Sequence, residues 1–192
     1  GANTNASAGQ TPILFYSRRI GLDNNREIPV RAGGRMTGRA GRFSLGLLDI
    51  ATEDDALAKA PAANFSVMRF KRDILRKSSI GTIFARRSSL LNRAGSNETY
   101  GLDGSFAFYS NLTVNTYWAR THTDGLATGN ASDRLQLNYN RDRYGLQLER
   151  LAVGNNFNPE IGYVQLKDMR NHFALARFSP RPRSIKQVRK FT

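Results

Sequence analysis

The chain has 192 residues, with 29 lysines and arginines against 15 acidic residues, a net charge of +14 and no cysteine. Such a length suits one large domain, the charge points to an anionic partner, and the lack of cysteine excludes disulfides and thiolate metal sites. No stretch approaches the roughly 18 consecutive apolar residues of a transmembrane helix, which excludes a helical membrane protein but not a β-barrel, whose strands need only about 9–11 alternating residues.

Gly1 to Gln10 is small and polar and is expected to be a flexible segment (residues 1–10), leaving 11–192 as the folded unit. Pro12 to Ile20 begins apolar and ends in Ser17-Arg18-Arg19, the pattern of a strand running out to a charged end, and Asp23 to Glu27 is a turn. Ile28 to Ala40 carries Gly33, Gly34 and Gly38, as a bulged strand or a close backbone approach would require. Phe43 to Thr52 is a strand with two fairly apolar faces, and Glu53 to Pro61 is a loop with room for one helical turn. In Asn64 to Arg72, Phe65 and Val67 share a face with Arg69 and Lys71, so that face changes character partway, as at a bulge or a membrane boundary. Ser79 to Arg87 follows, with Ile80 and Phe84 facing away from Gly81 and Ile83.

The clearest alternation lies between Thr99 and Val153. Tyr100, Leu102, Phe106 and Phe108 oppose Asp103, Ser105 and Ala107, a period of two that only an extended strand can use. After a tight turn at Ser110-Asn111, Leu112, Val114, Thr116 and Trp118 oppose Thr113, Asn115 and Tyr117, completing a hairpin. A second hairpin sets Leu135, Leu137 and Tyr139 against Arg134, Gln136 and Asn138, then turns near Asp142 and sets Tyr144, Leu146 and Leu148 against Gln147 and Glu149. Asn155 to Tyr163 is turn-rich and enters another strand, Asn171 to Ser179 alternates once more, and the last ten residues are basic and unassigned.

The connections alternate long and short from Phe43 onward, with the long ones near 53–61, 88–98, 123–132 and 154–160. An up-and-down barrel places every second connection at the same end, whereas a Greek-key sandwich has no reason to sort its loops so. The fold class is therefore all-β, an antiparallel up-and-down meander forming part of a transmembrane β-barrel. The chain is expected to be a fragment, with further strands beyond it.

The two histidines, His122 and His172, lack a carboxylate cluster or cysteine beside them, so no metal site is expected. The glycines match neither a phosphate loop nor a dinucleotide fingerprint, and no cofactor is expected. Glu53, Asp54 and Asp55 form an acidic loop patch rather than a spaced catalytic pair, and no catalytic residue is assigned. The arginines are spread over many strands and turns, and on the clearest strands aromatic and basic residues separate, which argues against specific nucleic-acid binding. Tyr100, Tyr109, Tyr117, Trp118, Tyr139 and Tyr144 lie near strand ends, as an interfacial girdle requires.

Phe15-Tyr16-Ser17-Arg18-Arg19-Ile20-Gly21 resembles an element of the domain-of-unknown-function family 5916 of bacterial proteins. Arg39 to Leu48, Arg72-Asp73-Ile74, Ser79-Ile80-Gly81, Tyr100 to Asp103 and Asn156 to Tyr163 are similar to successive landmarks of that family. The resemblance implies an outer-membrane-type barrel in a glycan context, commonly preceded by a family-9-like carbohydrate-binding domain, and it carries over no catalytic residue. The expected location is the bacterial outer membrane, with membrane lipid and a glycan or anionic ligand as partners. Asp103, Asn115, Arg134, Gln136, Asn138, Gln147 and Glu149 are the candidate lumen-facing, ligand-binding residues. The alternatives are a soluble β-rich domain binding polyanions or nucleic acid, and part of a carbohydrate-processing enzyme.

Overall fold

A computed structural model describes residues 9–23, 26–56, 60–89, 95–126 and 128–180. A 3-10 turn at Ser17–Arg19 precedes a small hairpin of β1 (Leu22–Asp23) and β2 (Arg26–Glu27). Nine longer strands follow: β3 (Val30–Ala40), β4 (Phe43–Thr52), β5 (Ala63–Leu75), β6 (Ser78–Ser89), β7 (Asn97–Phe108), β8 (Leu112–Thr123), β9 (Ala131–Asn140), β10 (Tyr144–Val153) and β11 (Met169–Phe178). They form one antiparallel sheet in strict sequence order from β3 to β11, with no α-helix among the described residues. The meander and the sorting of its connections are as expected. The connections from β4 to β5, β6 to β7, β8 to β9 and β10 to β11 leave from one end, and the turns at 41–42, 76–77, 109–111 and 141–143 lie at the other. The sheet is open, and β3 and β11 are its unpaired edges.

Pro12 to Ile20 is not a strand of this sheet. Ile13 makes a single bridge to Tyr163, and Tyr16 donates its amide to the Ile161 carbonyl, so residues 13–20 and 155–163 form a strap across one face of the sheet at the long-loop end. That face is termed inner. Phe15 and Ile20 pack with Ala63, Phe65, Val67, Ala85 and Ile161, and Leu14 packs with Ala119, Leu151, Val153 and Phe157. Phe157 and Leu151 are fully buried, each contributing on the order of 1.5–3 kcal/mol. The segment after Asn155 thus enters this strap, and the next strand begins only at Met169.

The strap also explains the mixed face of β5. Its pairing with β4 and β6 is regular from Ala63 to Asp73, and the register shifts only between Asp73 and Leu75, so no bulge separates Val67 from Arg69. Phe65 and Val67 lie under the strap, whereas Arg69 and Lys71 lie beyond it on the same face. In β3 the irregularity falls between Val30 and Ala32 rather than at the glycines. A Cβ on Gly33 would stand 2.9 Å from Ile50, which accounts for that glycine as a close approach. The turn expected at Ser110-Asn111 starts one residue earlier, at Tyr109, whose φ is +56°. Residues 1–8 of the expected flexible segment 1–10, the basic last ten residues, and 57–59 of the loop expected to hold one helical turn lie outside the described residues.

The opposite, outer face is uncovered and apolar. Leu102 and Leu135 are 56% and 51% exposed, and Phe43, Met68, Phe70, Trp118, Leu146 and Leu148 also face outward and are exposed. The row of paired residues from Phe43, which opens β4, runs through Arg72, Ile80, Gly104, Thr116 and Leu135 to Arg150, six positions after Tyr144 opens β10. The short-turn edge thus slips about one residue per strand. The upper limit of the apolar band slips by the same six positions from β4 to β10, all of it between β7 and β10. On β4 it ends before Asp49, six positions after Phe43 and in a row with Ser66, Arg86 and Glu98; on β10 it ends before Arg150, in the row of Phe43 itself. With ~3.3 Å per residue and ~4.8 Å between strands, this stagger inclines the strands by about 35° to the normal of the band.

Candidate functional site

Alternation puts every second side chain on the inner face, and the register decides which of them meet. All seven candidates share that face, beyond the strap. Ser105, Asn115, Gln136 and Glu149 fall in one row across four strands, with Asn138 and Gln147 paired beside it and Asp103 and Arg134 both paired to Tyr117. Ser105 Oγ donates to Asn115 Oδ1 at 2.8 Å, Asn115 Nδ2 to Gln136 Oε1 at 3.5 Å, and Gln136 Nε2 to Glu149 Oε2 at 3.4 Å. Arg134 closes the chain, its Nε 2.9 Å from Glu149 Oε1. The Glu149 side chain is only 1% exposed and that of Arg134 18%, so the carboxylate depends on these partners for the solvation it has lost.

Asp103 belongs to a second group that the sequence did not reveal. Arg69 reaches across β6 and binds both Asp103 oxygens, Nη2 to Oδ2 at 2.8 Å. The crossing depends on Gly81, because a Cβ there would stand 2.6 Å from Arg69 Nη2. Arg39 pairs with Asp73 at 3.0 Å, while Lys71 and Arg35, on the same face, have no acidic partner among the described residues. The signal for this group was the run Phe65, Val67, Arg69, Lys71 on one face, but its partners lie 34 residues away on β7.

At the strapped end, Asn97 is 1% exposed and joins three segments. Its Nδ2 donates to Thr123 Oγ1 and to the Asn158 carbonyl, both at 2.8 Å, and its Oδ1 accepts from the Glu160 amide at 3.2 Å. Arg87 pairs with Glu160 at 2.8 Å on the wall of a polar recess of about 280 Å³ that also contains Thr52 and Asn158. Residues 15–21 and 156–163, which are far apart in the chain, meet in the strap. Among the described residues, no three acidic or histidine side chains gather so as to hold a metal ion.

Comparisons with family profiles, with curated proteins and with solved structures found no match.

Proposed function

We propose that this chain is part of the wall of an outer-membrane-type β-barrel, and that its polar inner face binds or passes an anionic or glycan ligand. The observation that supports this reading most is the uncovered outer apolar band, whose polar limit slips by six residues between β4 and β10, as the short-turn edge does. Barrel strands tilt by about 35–45°, and a membrane cutting such strands leaves an apolar band inclined in just this sense. Strands of 10–13 residues suit the span. The edges β3 and β11 leave backbone groups that further strands would pair in a closed barrel.

An anionic ligand is favoured over a neutral one. The inner face carries Arg35 and Lys71 without acidic partners, beside the paired Arg39, Arg69 and Arg134, and basic linings select anions in pores. The likeness to domain-of-unknown-function family 5916 supplies the glycan context and the location in a bacterial outer membrane.

The reading is tested by spin labels at Leu102 and Lys71. In bilayers, the label at Leu102 should be relaxed by oxygen and shielded from a water-soluble nickel chelate, and the label at Lys71 should show the reverse. A soluble polyanion-binding domain would instead leave Leu102 open to the chelate and remain in solution without detergent.

A further inference from the structure

The outer face holds a feature that a generic lipid-facing wall does not need. A groove of about 600 Å³ crosses β5 to β8, floored by Thr82, Gly104 and Thr116 and walled by Phe70, Leu102 and Trp118. Its surface is almost wholly apolar, and its one outward charge is Arg72, whose guanidinium lies over the Phe43 ring, 5.0 Å from the centroid. Arg72 has no acidic partner among the described residues, and neither do Arg42, Arg76 or Lys77 nearby; Asp73, the local carboxylate, is held by Arg39. This corner therefore presents a surplus of positive charge where the apolar band begins.

The direction of the groove says what fits it. It follows the row Arg72, Ile80, Gly104, Thr116, and that row climbs from the short-turn edge at Phe43 to the polar limit of the band at Arg150. A molecule anchored at Arg72 would thus enter the band obliquely and end beside Trp118, three strand spacings or about 14 Å away. We propose that the groove is a binding site for one anionic glycerophospholipid, its phosphate on Arg72 and an acyl chain lying from Ile80 to Trp118. Short turns of outer-membrane barrels face the periplasm, where the leaflet is made of phospholipid. The proposal rests on the barrel reading above, since only a membrane supplies this ligand to this face.

Trp118 is the only tryptophan of the 192 residues and forms the far wall of the groove, so its fluorescence reports the occupant. The protein in phosphatidylcholine bilayers would be titrated with acyl-brominated phosphatidylglycerol or acyl-brominated phosphatidylcholine, with Trp118→Phe protein as the blank. Half-quenching should need about fivefold less phosphatidylglycerol, the advantage one basic residue gives toward an anionic lipid surface. Arg72→Gln should bring the ratio to one while both lipids still quench, and Arg72→Lys should keep it. Equal quenching by the two lipids in the unmodified protein, or a ratio unchanged in Arg72→Gln, overturns the site and leaves the barrel reading standing. Absence of quenching by either lipid overturns both.

Discussion

Leu137 offers the sharpest energetic test of which solvent the outer face meets. It is the middle one of the three apolar outward residues of β9, between Leu135 and Tyr139, and its partner Leu148 is 41% exposed, so no protein layer covers this part of the sheet. An arginine here removes little packing. If the face meets water, the substitution belongs to the surface class and should change stability by no more than about 0.5 kcal/mol. If it meets hydrocarbon near the midplane, the cost is roughly 2–4 kcal/mol and falls to about 0–1 kcal/mol toward the interface. Leu137→Arg should then cost roughly 2–4 kcal/mol, and Tyr139→Arg, one outward step nearer the short turns, clearly less. Reversible urea unfolding in lipid vesicles, followed by Trp118 fluorescence, measures both. A cost below about 0.5 kcal/mol at Leu137, or equal costs at the two positions, would refute the argument.

Arg134→Ala should destabilise by about 3–5 kcal/mol in the same assay, because it strips a charged partner from a carboxylate that is almost wholly buried, whereas Arg134→Met with Glu149→Leu should recover most of the loss. Asn97→Ala removes three hydrogen bonds at a buried junction and should cost about 2–4 kcal/mol by denaturant titration. Gly162→Ala would drive a Cβ into the Ile13 carbonyl oxygen, so limited proteolysis should cut within residues 11–20 much faster than in the unmodified protein while the outer-face labels stay lipid-exposed. Equal cleavage rates would show that the strap does not depend on that contact.

The faces of β7 to β10 were legible in the residues themselves. Side chains at i and i+2 share a face whatever the rest of the chain does, so Leu102 and Phe106 were separable from Asp103 and Ser105 by period alone. The meander was legible for a similar reason, since alternately long and short connections are a property of the chain in order. Pro12 to Ile20 misled because an apolar run of strand length has the same local composition whether it pairs in a sheet or packs across one, and contacts with Phe65 and Ala85 far along the chain decide between the two. The change of character on β5 was a true signal given a wrong cause, because what covers Phe65 and not Lys71 comes from residues 13–20 and 155–163. The Arg69 and Asp103 pair, the Asn97 junction and the slip of one residue per strand likewise existed only once the register was set. Alternation is a local property of an extended backbone, but register, strap and groove arise from pairing between distant segments, and only the folded sheet fixes those.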